Sequence, residues 1–98
     1  MGLHDGHRQR VKRRFLAVGA EGMDDHQLLE LLLFYAVPRQ DTNETAHCLL
    51  KHFGSLQNVL HAAPEELTAV EGVGENAAVL LRLTGDIALR ARCASLPQ

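Results

Sequence analysis

The chain has no tryptophan, one tyrosine and three phenylalanines in 98 residues. A core without large aromatics must be filled by Leu, Val and Ala, which favours short packed helices. Cysteine is equally scarce: Cys48 and Cys93 form no spaced framework. That excludes a disulfide-stapled secreted fold, and both residues are expected as reduced thiols of a cytoplasmic protein. The N-terminus carries no apolar leader. No long apolar run exists either. Residues 28–37 are interrupted by Glu30 and fall well short of the roughly 20 residues that span a bilayer, so a buried helix is expected there and no membrane contact. Also missing are a nucleophile elbow, a phosphate loop and a His-Glu-x-x-His zinc motif. A non-enzymatic role follows as the expectation.

What is present is 46% hydrophobic residues, enough for one core and too many for a disordered chain. The net charge of −2 conceals an uneven distribution. Residues 1–18 hold Arg8, Arg10, Lys12, Arg13 and Arg14 against Asp5 alone, a balance of +4, whereas the remainder is at −6. A basic arm on a mildly acidic body suits contact with a polyanion at one end, and equally suits a solvated amphipathic helix.

Apolar residues recur at helical spacing throughout, and no segment reads as a strand. The first helix is expected over residues 5–18, with Val11, Phe15 and Val18 on one side. Glycines 19 and 22 break it. Asp24 with Gln27 forms a box-like start for a second helix, 25–36, ended by Pro38. Asp41 and Glu44 signal a third, 42–53, closed by Gly54. Ser55 caps a connector at 55–62, Pro64 opens a brief helix at 64–69, and the last helix runs from 75 to 92. The expected architecture is one all-α domain of five to six short helices. Its two helix–turn–helix pairs, 25–53 and 64–92, form a tandem helix-hairpin-helix, a small bundle of the SAM or RuvA C-terminal kind whose first hairpin is degenerate.

The densest signal lies in residues 67–81, LTAVEGVGENAAVLL. Gly72-Val73-Gly74 makes a tight turn directly before a helix. Glycines there permit positive φ or close packing, and the unpaired N–H groups of a helix start attract anions, phosphate above all. Val70 and Val73 are expected to face the core, Ala78 to let the helices approach, and the amides of Gly72, Val73 and Gly74 to face outward beside Asn76. Arg8, Arg10, Arg13, Arg39 and Arg82 are the candidate phosphate contacts. Backbone amides hold phosphates without reading bases, so the expected partner is DNA bound independently of sequence. Glu71 and Glu75 oppose this: a carboxylate at that position itself satisfies a helix start and repels phosphate. An acidic hairpin fits a protein-docking role instead, with an exposed apolar patch near Leu56, Val59 and Leu60. His47, Cys48 and His52, with His26 or His61, lack the paired spacing of zinc sites and read as ordinary helix residues, as do His4 and His7.

Several stretches together resemble the N-terminal helical region of the RadC family, often labelled DNA repair proteins. They are Gly6-His7-Arg8 leading to Arg14-Phe15-Leu16, LLELLLFYAVPRQD at 28–41, LLKHFGSLQNVL at 49–60, and residues 64–81. The resemblance implies a DNA-handling role. It also implies continuation into a metalloprotease-like domain of the JAB/MPN type, whose His-x-His zinc motif has no counterpart here. Helix-hairpin-helix modules of this kind sometimes hold K+ or Na+ on hairpin carbonyls, which in this sequence belong to Thr68, Val70 and Val73.

Overall fold

Capping and spacing translate directly into elements. In the computed structural model, which describes residues 3–38 and 41–94, six α-helices follow one another: α1 (Leu3–Val18), α2 (Asp25–Leu33), α3 (Thr42–Phe53), α4 (Leu56–His61), α5 (Pro64–Thr68) and α6 (Glu75–Ala94). A short 3₁₀ turn, Ala20–Gly22, separates α1 from α2. No strand occurs among the described residues.

The starts are set by local chemistry. The backbone N–H of Asp24 donates to Gln27 Oε1 at 2.9 Å, half of the reciprocal arrangement the sequence suggests. Asp41 Oδ1 accepts from the Asn43 amide and Ser55 Oγ from the Asn58 amide. Each interaction satisfies one donor that a helix start would otherwise leave open, worth about 1 kcal/mol. Ala63 N–H donates to Glu66 Oε1, and Pro64 fills the first position of α5, where the lost N–H costs nothing. Gly54 ends α3 in the left-handed region at φ 93°. α2 is shorter than its apolar pattern predicts. It stops at Leu33, and residues 34–36 continue as a turn because Pro38 displaces the chain ahead of it from helical geometry.

Leu29 and Leu33 of α2, Ala46 and Leu49 of α3, Val59 of α4, Leu67 of α5, Val70 and Val73 of the following turn, and Ala77, Ala78 and Leu81 of α6 form one continuous core. α2 pairs with α3 and α5 with α6, giving two helix–turn–helix units, while α4 bridges by packing on both α3 and α6. The approach of α4 to α6 is unusually close. A Cβ added to the buried Gly85 would fall on the Leu60 carbonyl oxygen.

α1 is attached differently. Of Val11, Phe15 and Val18, whose pattern suggests a packing side, Val11 is half-buried and the other two are exposed, as is the neighbouring Leu16 at 81%. Polar contacts near the N-terminal end hold the helix instead. His7 Nε2 lies 2.9 Å from Glu30 Oε2, and the Arg8 guanidinium donates to the carbonyls of Phe34 and Val37 while lying over the Phe34 ring. Glu30 is 2% exposed. A carboxylate removed from water in this way requires hydrogen-bond partners, and His7 together with Asn43 Nδ2, 3.5 Å from Oε1, supplies them.

Candidate nucleic-acid interface

The turn between α5 and α6 is shaped by Gly72. Its φ is 90°, a region L side chains rarely adopt, and a Cβ there would come within 2.8 Å of Thr45 Oγ1 on α3. The residue therefore serves both the turn and the packing of the second hairpin on the first. Val70 and Val73 are buried on either side, as their pattern predicts. Val73 does not present an outward amide. Its N–H donates to the Val70 carbonyl at 3.1 Å, closing the turn on itself. That bond also engages one of the three carbonyls, Thr68, Val70 and Val73, to which a monovalent ion is assigned by resemblance.

The remaining amides are open. Ala78 N–H takes the Gly74 carbonyl at 3.0 Å, the first bond of α6. The N–H groups of Gly72, Gly74, Glu75 and Asn76 make no hydrogen bond among the described residues, and no carboxylate of Glu71 or Glu75 accepts from them. Gly74 is exposed and nothing among the described residues lies within 4 Å of where its Cβ would be, so the turn is open on the Gly74 side, whereas Gly72 is half-buried against Thr45. Its φ is not in the left-handed region.

Two different surfaces flank the turn. On one side a shallow groove runs between Gly74, Glu75 and Asn76 and the α2–α3 turn at Ala36, Val37 and Pro38. On the other, Asp41, Glu44 and Glu71 gather with Thr45 and Cys48 around Gly72. The first side is the less acidic, so an anion reaching the amides meets less repulsion there.

The candidate arginines divide. Arg10 and Arg13 are exposed on α1. Arg8 is committed to the Phe34 and Val37 carbonyls, one at the cap of α2 and one in the turn beyond it, where no helical partner is available and a guanidinium satisfies two at once. It thereby supports the wall of the groove from beneath instead of facing solvent as a phosphate contact. Arg82 is likewise engaged by its neighbours, although its side chain is 42% exposed. Its Nε donates to Asp86 at 3.2 Å and Nη1 reaches the His61 and Ala62 carbonyls at 3.4 Å, closing the end of α4. Arg39 lies outside the described residues. His26 and His47 stack at 4.5 Å between α2 and α3, and no group of three or more potential metal ligands occurs among the described residues. No described helix is long and apolar enough to cross a membrane.

The sequence also contains two determinants that its patterning did not single out. Glu30 looks like an interruption of an apolar run, yet it anchors α1. Gly85 looks like an ordinary helix residue, yet it sets the α4–α6 distance. Only a buried position in the α2 periodicity hints at the first, and no local signal marks the second.

These features define a small all-α module of two packed helix–hairpin units with an amide-lined turn at its second hairpin. Residues 6–79 match the family described as UPF0758 N-terminal, and the chain belongs to that family, the RadC family of the sequence resemblance. It is similar to a UPF0758 protein of Fusobacterium nucleatum, 39% identical over 84 residues, covering 86% of this chain and 36% of the relative. A UPF0758 protein of Rhodobacter capsulatus is 55% identical over 65 residues, covering 66% and 30%. Another from Ruegeria pomeroyi is 48% identical over 69 residues, covering 70% and 31%. The chain thus spans about a third of the length of the curated relatives it matches. No solved structure matches it significantly.

Proposed function

We propose that this domain binds DNA without reading its sequence, by seating a backbone phosphate on the amides of Gly72, Gly74, Glu75 and Asn76. The observation that carries this reading is the open start of α6, a 20-residue helix whose first N–H groups find no acceptor among the described residues and whose entrance is a bare glycine. A long helix supports an anion at its start through aligned peptide dipoles, and the amides supply geometry. Arg10 and Arg13 on α1 supplement the grip. The domain does no chemistry in this reading. It positions whatever else the polypeptide carries.

Fluorescence anisotropy on a labelled duplex, titrated against salt, tests the idea. Micromolar affinity at 50 mM salt, falling by about 0.9 log units per log unit of salt for each phosphate neutralised, is the expected result. Gly74→Glu removes binding with the fold intact, because that position is neither crowded nor strained. Glu75→Gln raises the affinity severalfold by removing a like charge from the phosphate's path. No binding at 50 mM salt, or equal binding by Gly74→Glu, overturns the proposal.

One observation favours a second reading. A large apolar face, remote in character from the hairpin, lies exposed on α6 and beside α1: Val79, Leu83 and Ile87 are each at least half exposed, and Tyr35 is 70% exposed. Surfaces of this kind dock protein, and the two roles use different faces.

A further inference from the structure

Alone among the described helices, α1 contributes no residue to the continuous core. Its C-terminal end is tied through the turn at 19–22, where Gly19 takes φ 70° and Arg14 Nη2 donates to the Gly22 carbonyl at 3.2 Å. Along its middle, Val11 is half-buried and the Lys12 ammonium lies 5.6 Å from the centre of the Tyr35 ring. Its N-terminal end is held by two consecutive side chains. His7 Nε2 meets Glu30 Oε2 at 2.9 Å, and its ring stands edge-on to Phe34. Arg8 donates to the Phe34 and Val37 carbonyls and lies over the same ring. Val37 in turn lines the groove that faces Gly74, Glu75 and Asn76. A continuous run of contacts therefore joins the buried Glu30 to the phosphate site.

We propose that His7 and Glu30 are positioning residues for nucleic-acid binding: the pair touches no phosphate, yet it sets the affinity by keeping α1 docked. This rests on the DNA reading above and specifies what controls the strength of that same site. The Glu30 side chain is 3% exposed, and His7 is its closest donor. Asn43 Nδ2, 3.5 Å from the other oxygen, is a longer and neutral contact. Without His7 the carboxylate is left short of a partner in a dry place, and water replaces it by entering beneath α1. Lifting α1 weakens the phosphate site in two ways. Arg10 and Arg13, on the exposed side of the same helix, lose their fixed place. Arg8 leaves the Val37 carbonyl, so the groove wall loses its brace and the positive charge behind it. The α6 amides stay where they are, because the second hairpin belongs to the core. Affinity therefore falls without vanishing.

The test combines anisotropy on a labelled duplex, from 50 to 200 mM salt, with amide hydrogen exchange of the full 98-residue chain. His7→Ala is the first variant, chosen because the His7 side chain is 44% exposed and the core is untouched. It is expected to speed exchange in α1 and leave α3 and α6 protected. Binding at 50 mM salt weakens about 10-fold, and the log–log salt slope falls by about 1.8, two phosphates' worth. Arg10→Ala/Arg13→Ala lowers the slope equally with α1 still docked. Adding His7→Ala to that pair costs much less than His7→Ala alone, since both changes remove the same contacts. His7→Gln keeps a side-chain N–H for Glu30 and restores most of the slope. An unchanged slope in His7→Ala overturns the proposal, as do fully additive losses. Weakened binding with α1 still protected makes His7 a direct contact and overturns it too. Absence of binding by the wild type overturns the DNA reading itself, and this proposal with it.

Discussion

At the scale of single residues, the structure turns on three positions that do not look alike in sequence. Gly72 is recognisable from the sequence alone, because a glycine two positions from another, just ahead of an apolar helix, announces a turn. Arg8 and Glu30 are not recognisable. Arg8 sits among four other basic residues, and nothing in its neighbours distinguishes the one that folds back onto the Phe34 and Val37 carbonyls. Glu30 matters because of His7, 23 residues away. Replacing it by alanine leaves His7 and Asn43 without their acceptor, and stability falls by about 1–3 kcal/mol. The loss concentrates in α1, whose amides exchange hydrogen faster than those of α3 in the same variant. Unchanged protection of α1 would show that Glu30 does not hold it.

At the scale of elements, what was legible is what is decided locally. The bounds of α3 follow from Asp41 and Gly54, those of α4 from Ser55, and the entry of α5 from Pro64, and in each case the stop or start lies within a few residues of its cause. α1 and α2 are less well read. On the apolar side of α1, Val11 is half-buried while Phe15 and Val18 stay exposed at the edge of an open groove, and α2 gives up its last turn to the approach of Pro38. The α4–α6 contact is invisible in sequence because it joins residues 25 apart. It carries a sharp consequence. Gly85→Ala gains about 1 kcal/mol of helix propensity but drives a methyl group onto the Leu60 carbonyl, and overpacking of this sort costs about 1–3 kcal/mol. Urea unfolding is expected to show net destabilisation with the m-value retained. Net stabilisation would mean that the two helices separate easily.

At the scale of the whole molecule, charge and shape are both polarised. The chain measures 50 × 34 × 21 Å along its principal axes. The basic residues of α1 lie near one end of the sequence, the acidic group at Asp41, Glu44 and Glu71 surrounds one flank of the second hairpin, and the apolar ridge follows the outer side of α6. The hairpin itself was legible as a motif, whereas the engagement of Arg8 and Arg82 within the fold was not, since both serve helix ends formed elsewhere in the chain. Backbone amides consequently bear most of the proposed contact. The most direct measurement is a proton–nitrogen NMR titration of the isotopically labelled chain with a short duplex at low salt. The largest shifts are expected at the amides of Gly72, Gly74, Glu75 and Asn76, with smaller ones at Arg10 and Arg13 and none at Val73. Shifts confined to α1, or to Val79, Leu83 and Ile87, with the four hairpin amides unmoved, would contradict the account.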